Sequence, residues 1–145
     1  MRTAETLIRE LADRAEITEL LARQSLWLDE RALDRTAEIF TADVVARTPG
    51  GHVHGAEAVA EHAISRHGEY DRTVHAIHSP IIDLAGDEAV VDCGVKAVFI
   101  VNGRKAVQLV EARYRFGARR TADGWRFSSI AVTPIARTVG VEQTL

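Results

Sequence analysis

Apolar residues near the start of the chain recur at the three- and four-residue spacing of an amphipathic α-helix. Over residues 3–28 this spacing defines one helix face, which consists of Ile17, Leu20, Leu21, Gln24, Trp27 and Leu28. Thr3 can cap the helix, because a threonine hydroxyl accepts a hydrogen bond from a free backbone N–H of the first turn. The pattern therefore predicts a long first helix, and Asp29 directly follows its last turn.

Two shorter helices and one short strand are predicted after this first helix. Helical spacing predicts a second helix over residues 33–40 and a third over residues 56–67. Between them, residues 44–47 have the character of a short strand, and the Pro-Gly-Gly run at 49–51 marks a turn. The third helix is expected to turn three residues inward, namely Val59, Ala63 and Ile64.

From residue 73 onward, polar and apolar positions alternate with the period of two that is typical of β-strands. Glycine-containing turn signals, Gly86-Asp87, Asn102-Gly103 and Asp123-Gly124, separate the alternating runs. The predicted strands cover residues 73–84, 89–101, 105–119 and 125–133. Pro134 is expected to end the last strand. The tail after Arg137 is expected to fray or to contact another subunit.

Helices followed by a long antiparallel meander indicate the α+β class. The chain has 145 residues and contains no linker-like segment, so residues 1–145 are expected to form one domain. We expect a cone-shaped α+β barrel, in which N-terminal helices pack against a strongly curved, mainly antiparallel sheet. The concave face of such a sheet leaves an apolar cavity, which is the usual place for a small-molecule ligand.

Charge and hydropathy exclude several kinds of partner. The net charge of −3 gives no electrostatic basis for binding nucleic acid or an acidic membrane surface. No stretch approaches the roughly 18 apolar residues that a membrane span needs. The opening residues also lack the continuous apolar region of a signal peptide. We therefore expect a cytoplasmic protein without a membrane or nucleic-acid partner.

The sequence carries no recognisable metal or cofactor motif. His62 and His67 stand five residues apart on the third predicted helix, which is poor geometry for sharing a metal ion. Cys93, the only cysteine, lies within a predicted strand and is expected to be buried and inert. Because metalloprotease, P-loop and dinucleotide-binding motifs are also missing, we expect neither a metal nor a cofactor.

The candidate chemistry rests on Asp29 and on two histidines of the first long strand. His75 and His78 point to opposite faces of that strand, and alternation alone does not show which face enters the cavity. Asp29 either begins the turn to the second helix or reaches back under the sheet. These alternatives stay open at the level of local pattern.

Alternation also sorts the later strands. The more apolar face of the 105–119 strand is taken as inward, and it includes Gln108, Val110, Ala112, Tyr114 and Phe116. The opposite, mixed face carries Val107 and Leu109, which we expect to contact another subunit. In the last strand, Trp125, Phe127, Ser129 and Ala131 share one face.

Four segments together resemble the SnoaL-like branch of the nuclear-transport-factor-2-like superfamily. They are residues 12–21, residues 28–43, the run from His75 to Ala89, and Asp123-Gly124-Trp125-Arg126-Phe127. That superfamily includes polyketide cyclases, scytalone dehydratase, ketosteroid isomerase and hexachlorocyclohexane dehydrochlorinase. The resemblance spans nearly the whole chain and implies the cone-shaped fold.

The resemblance also implies site residues. It places Asp29 at the family's helix-end carboxylate and His75 at its pocket histidine, which form a dyad in the dehydratase and dehydrochlorinase members. His78 then lies on the outer face. The chain departs from the family pattern at Gln24, where many members have a tyrosine, and at Ser79, where many have an asparagine. The second histidine of the dehydratase has no clear counterpart, and Gln108 or Tyr114 are candidates to replace it.

The function that follows is a cofactor-independent lyase or dehydratase acting on a small hydrophobic carbonyl-type metabolite. His75 is the expected base and Asp29 orients it. Isomerase or polyketide-type cyclase activity with the same dyad, and non-catalytic binding of a small molecule, are the alternatives. A homo-oligomer, dimer or trimer, is expected under each. The expected substrate contacts are Gln24, Trp27, Phe40, Phe99, Gln108, Tyr114, Trp125 and Ser129.

Overall fold

The computed structural model describes residues 1–101 and 106–141 of the chain. Three helices precede or interrupt the first strands, and long strands make up the remainder. In chain order the elements are α1 Ala4–Asp29, a 3-10 turn Leu33–Arg35, α2 Thr36–Ile39, β1 Phe40–Thr48, β2 Gly51–His54, α3 Ala56–His67, β3 Arg72–Ala85, β4 Glu88–Val101, β5 Ala106–Thr121 and β6 Gly124–Val141. The predicted Asn102-Gly103 turn falls outside the described residues.

Helix α1 forms as its sequence pattern predicts. The Thr3 hydroxyl accepts a hydrogen bond from the backbone N–H of Thr6 at 3.1 Å and so caps the first turn. The predicted inward face is buried, with Ile17 fully inaccessible to solvent. This face packs against β3 and β6, so burial of apolar surface holds α1 across the sheet.

The six strands form one mixed sheet in the order β2-β1-β6-β5-β4-β3. Neighbouring strands are antiparallel except β1 and β6, which run parallel. The predicted α+β class and the curved, mainly antiparallel sheet are confirmed. The sheet stays open, with β2 and β3 at its edges, so it does not close into a complete barrel.

The region between α1 and α3 differs from its prediction. The second helix is reduced to a 3-10 turn and the four residues of α2, because Phe40 already adopts the extended conformation and starts β1. Strand β2 was not predicted, and it follows a turn at which Gly51 has a φ of 124° that favours glycine. In α3, Val59 is buried as predicted, whereas Ile64 is 37% exposed.

Strand β6 is longer than predicted, and Pro134 does not end it. The pairing of β1 with β6 extends only to Ala131, so beyond that residue β6 has a neighbour on one side alone. A proline has no N–H to donate, and a strand edge without a neighbour requires none. The chain therefore continues beside β5 to Val141.

Three irregularities interrupt the β5–β6 pairing, and at each of them β6 carries one extra residue. They lie between Gly117 and Ala118, between Glu111 and Ala112, and between Val107 and Gln108. Val107 is only 2% exposed, so within the described structure it offers almost no surface for the predicted subunit contact. Leu109, two residues further on, is exposed as predicted.

The main core lies between α1 and the sheet. Its tightest aromatic contact stacks Phe116 of β5 on Phe127 of β6 with ring centroids 4.1 Å apart. Beside it, Asp13 of α1 accepts two hydrogen bonds from Arg120, each at 2.8 Å, and one from the indole N–H of Trp125 at 3.0 Å. This partly buried network fixes α1 to β5 and β6.

Candidate active site

The concave side of the sheet encloses a cavity of about 460 Å³. Helix α3 and the carboxyl-terminal part of α1 complete its walls, and their side chains meet those of β1, β4, β5 and β6. The lining is mostly apolar or aromatic. Its apolar and aromatic residues include Trp27, Leu28, Phe40, Val59, Val95, Phe99, Val110, Ile130 and Val132. A volume of this size suits a small organic molecule.

Asp29 and His75 meet at one end of this cavity. Asp29 is the last residue of α1, and His75 lies on the inward face of β3. The Asp29 Oδ1 atom lies 2.6 Å from Nδ1 of the His75 ring. The backbone N–H of His75 donates to Asp29 Oδ2 at 2.8 Å, so one carboxylate is held by both the ring and the backbone of the same residue.

A third hydrogen bond completes the environment of the carboxylate. The hydroxyl of Thr73, two residues before His75 on the same face of β3, donates to Asp29 Oδ1 at 3.0 Å. Burial raises the pKa of the Asp29 carboxyl, but the hydrogen bonds from the ring and backbone of His75 and from Thr73 outweigh it and lower that pKa overall. Asp29 is therefore ionised at neutral pH and accepts from all three donors.

An ionised partner at Nδ1 fixes the tautomer of His75. A carboxylate can only accept a hydrogen bond, so Nδ1 carries the proton and Nε2 keeps its lone pair in the neutral ring. The His75 side chain is only 3% exposed and lines the cavity. The arrangement leaves one basic nitrogen in a largely apolar space, which suits it to accept a proton from a bound molecule.

His67 is a site residue that the sequence analysis missed. It is the last residue of α3, and its ring centroid lies 5.4 Å from that of His75 and 5.6 Å from that of Phe99. Its Nδ1 donates to the carbonyl of Ala63 at 2.8 Å, which leaves Nε2 as the free ring nitrogen. Burial lowers the pKa of His67, partly opposed by this hydrogen bond, so the ring is neutral at neutral pH. The only indication in the sequence was that His67 lies at the end of a predicted helix, shortly before the strand that carries His75.

Gln24 and Tyr114 place buried polar groups at the cavity wall that have no partner in the described part of the chain. Gln24 is only 3% exposed and lines the cavity, and its amide makes no hydrogen bond within residues 1–101 and 106–141. The hydroxyl of Tyr114 is likewise without a hydrogen bond to the described part of the chain. Burial raises the pKa of Tyr114 to about 12, so the phenol keeps its proton and stays a donor.

The remaining predicted contacts divide into two groups. Trp27, Phe40, Phe99 and Gln108 line the same cavity as His75. Trp125 and Ser129 do not: Trp125 is buried against Asp13 on the α1 side, and the Ser129 hydroxyl accepts from the backbone N–H of Gly117 at 3.0 Å. The extra residue of β6 near Gly117 shifts the alternation, so Ile130 and Val132 line the cavity in place of Ser129.

Within the described ranges, no group of three or more His, Cys, Asp or Glu side chains has a geometry that could hold a metal ion. Burial raises the pKa of Cys93 to about 11, so its thiol stays protonated. Across the same residues, no helix combines the length and the hydrophobicity that a bilayer span requires.

Comparison with known proteins agrees with this fold. A family model for a SnoaL-like domain matches residues 9–131. No curated protein matches the chain.

Solved structures extend the comparison. A hexachlorocyclohexane dehydrochlorinase (LinA, type 2) superposes with a TM-score of 0.85 at 22% identity, over 95% of this chain and 97% of that one. A scytalone dehydratase-like protein from Novosphingobium aromaticivorans gives 0.81 at 18% identity, over 93% and 91%. A nuclear transport factor 2-like superfamily protein from Salmonella enterica gives 0.81 at 19% identity, over 88% and 94%. At these identities the superpositions establish the fold.

Proposed function

The chain belongs to the SnoaL-like domain family, and from this premise we propose that it is a cofactor-independent lyase. The proposed reaction eliminates water, or a comparable leaving group, from a small hydrophobic carbonyl compound. The observation that carries the proposal is the 2.6 Å contact between Asp29 and the ring of His75 at the wall of an apolar cavity. The family includes dehydratases and dehydrochlorinases, and both of these classes catalyse eliminations.

The first step is removal of a carbon-bound proton. The lone pair of His75 Nε2 takes a proton from the carbon next to the substrate carbonyl, and the electrons of that C–H bond move to the carbonyl oxygen. When the carbonyl re-forms, the bond to the leaving group on the neighbouring carbon breaks. The proton on His75 then passes to the departing hydroxyl, so that water leaves and the imidazole returns to its starting state.

Asp29 supports this cycle without accepting the proton itself. Its hydrogen bonds hold the ring in the reactive tautomer, and its negative charge stabilises the imidazolium that forms in the first step. The carboxyl end of α1 lies at the same place and carries a partial negative charge, which also favours a cation there. The largely apolar lining lowers the local dielectric constant, which strengthens these interactions.

The developing charge on the substrate oxygen needs a hydrogen-bond donor. Among the described residues, Gln24 and Tyr114 are buried donors of the lining that have no protein partner. A donor placed before the reaction stabilises an oxyanion without the cost of reorganisation. The neutral ring of His67 offers an acceptor at Nε2, suited to a substrate hydroxyl.

Two solved relatives favour elimination over other outcomes of the same first step. Of the structures that superpose on this chain, one is that of a dehydrochlorinase and another is that of a scytalone dehydratase-like protein. Isomerisation and cyclisation also begin with proton abstraction, so the identity of the product assigns the reaction.

The proposal is tested by a screen of apolar β-hydroxy ketones, with the conjugated enone product followed by absorbance and mass spectrometry. We expect His75→Gln to lower the rate for the accepted substrate by about 10²–10⁴-fold, the usual contribution of a well-placed general base. Asp29→Asn is expected to lower it by at least about tenfold, because the amide no longer compensates the imidazolium charge.

His78→Gln is the matched control. His78 lies three residues further along β3 and is exposed on the opposite face, so its replacement is expected to leave the rate within about twofold. A His75→Gln protein that folds and keeps the wild-type rate would overturn the assignment. A screen that yields only shifted double bonds or closed rings would replace elimination by isomerisation or cyclisation.

A further inference from the structure

A single row of paired residues crosses the sheet from the dyad to an arginine. His75 of β3 pairs with Ala97 of β4, Ala97 pairs with Val110 of β5, and Val110 pairs with Arg137 of β6. Residues that pair across antiparallel strands point to the same face, and all four of these line the cavity. The row therefore runs along the cavity floor, with an imidazole at one end and a guanidinium at the other.

The dimensions of this row match a small substrate. Three strand spacings of roughly 4.8 Å place the backbones of His75 and Arg137 about 14 Å apart along the sheet. Both side chains project from their strands into the space between, and the curvature of the sheet shortens the gap further. A molecule the size of one or two fused rings can reach both groups at once.

A second arginine approaches the same cavity from α3. Arg66 follows His62 by one helical turn, and both line the cavity. The guanidinium of Arg66 lies over the turn between β1 and β2, where a Cβ added to Gly50 would come within 3.3 Å of its Cζ atom. Arg66 and Arg137 therefore contribute to the lining from the helix wall and from the sheet.

The charge of the lining is one-sided. The chain has 21 acidic residues, yet no Asp or Glu of the described ranges lines the cavity, whereas two arginines do. Neither Arg66 nor Arg137 makes an ion pair or a hydrogen bond within the described part of the chain. By contrast, Arg120 bridges Asp13 and Asp87. These two guanidinium groups are thus available to an anionic ligand.

We propose that Arg137, assisted by Arg66, binds a carboxylate of the substrate at the end of the cavity remote from His75. The substrate class is then an apolar carbonyl compound that carries a carboxylate across the ring system from its reacting carbon. A guanidinium binds a carboxylate through two parallel hydrogen bonds, which fixes orientation as well as charge. This inference rests on the proposed function only for the elimination at His75, and not for the binding of the carboxylate.

Direct binding tests the carboxylate site without any turnover. The probes are 2-naphthoate and 2-naphthylacetate, each compared with its primary amide, which has nearly the same shape and no charge. Titration calorimetry on the full-length protein at low ionic strength gives the dissociation constants. We expect each carboxylate that fits to bind at least about tenfold more tightly than its amide, as expected for a hydrogen bond to a charged group.

Variants assign the preference to its residues. Arg137→Gln is expected to remove most of the preference for the carboxylate while leaving amide binding within about twofold, and the Arg66→Gln/Arg137→Gln double variant to abolish it. Arg113→Gln is the control, because Arg113 is exposed on the opposite face of β5. It is expected to behave like the wild type.

Three results would overturn the inference. They are the absence of a carboxylate preference in the wild type, a preference that survives in the double variant, and a preference that disappears in His75→Gln instead. The last result would show that the carboxylate of the probe binds at the His75 imidazole and not at Arg137. The binding experiment does not depend on turnover, so the two proposals can fail separately. If the carboxylate preference is found but His75→Gln keeps the wild-type reaction rate, the carboxylate site is retained and the proposed lyase mechanism is rejected.

Discussion

At the scale of single residues, Asp29 shows how local and tertiary preferences compete. A carboxylate in the last turn of a helix meets the partial negative charge of the free carbonyls, which is unfavourable. Three donated hydrogen bonds from Thr73 and from the ring and backbone of His75 offset this effect. All three donors lie on β3, so the position of Asp29 depends on a strand more than forty residues away in sequence.

Thr73→Val probes this arrangement through a residue that does not face the substrate. Valine keeps the shape of threonine and removes the donor to Asp29, so we expect a loss of about 2 kcal/mol in the free energy of unfolding. We also expect a several-fold lower turnover rate, because the carboxylate is less firmly placed. Chemical denaturation and the enone assay measure the two effects. Thr73→Ser keeps the hydroxyl and is expected to restore both; equal losses in the serine and valine variants would contradict this role.

The pairing of Asp29 and His75 could be anticipated from sequence only in part. Alternation places His75 and His78 on opposite faces of β3 but does not identify the inner face, and the family resemblance supplied that choice. His67 gave no comparable signal, since a histidine at a helix end is ordinary in a sequence. Its proximity to His75 arises because α3 ends against the inner face of the sheet.

At the scale of secondary-structure elements, periodicity predicted α1, α3 and the long strands well. Periodicity failed where the pairing with a neighbouring strand, and not the local sequence pattern, decides where a strand ends and which side chains point inward. Pro134 is compatible with a strand because β1 has already ended beside β6, and the extra residues in β6 reset the inward positions. Alternation read from one strand contains no information about its neighbour, so Ser129 was assigned to the cavity face.

The contact between α1 and the β5–β6 pair depends on Asp13. The hydrogen bonds of Arg120, together with that of Trp125 and against the effect of burial, lower the pKa of the Asp13 carboxyl. Asp13→Asn removes the charge and turns an amide N–H toward the guanidinium, and we expect it to cost about 2 kcal/mol at neutral pH, the usual contribution of a hydrogen bond to a charged group. The loss should appear in the free energy of unfolding measured with urea.

The pH dependence of this effect has a definite sign. Because the pKa of Asp13 is lower in the folded than in the unfolded state, its stabilisation is present at neutral pH and is lost as the pH falls through the acid range below about 4. The difference between wild type and Asp13→Asn should therefore shrink on acidification. Asp92→Asn, which breaks an exposed pair with Arg115, is expected to cost under about 1 kcal/mol. Equal costs at Asp13 and Asp92 would refute the role of the network.

At the scale of the whole molecule, the cavity exists because the long strands curve over α1 and α3 without closing. The sequence predicts the strands and the helices, but curvature comes from twist and from the irregular pairs of β3, β5 and β6. The predicted homo-oligomer stays a prediction. Exposed apolar residues such as Leu109 and Val139 are compatible with it.

The central claim is that Asp29 holds His75 with its basic Nε2 nitrogen toward the cavity. The most direct test is the imidazole nitrogen NMR spectrum of isotope-labelled protein, with His75 assigned through His75→Gln and recorded at a pH where its ring is neutral. We expect His75 to carry its proton on Nδ1, and Asp29→Asn to weaken or reverse this tautomer preference. A proton on Nε2 in the wild-type protein, or a spectrum unchanged in Asp29→Asn, would contradict the account.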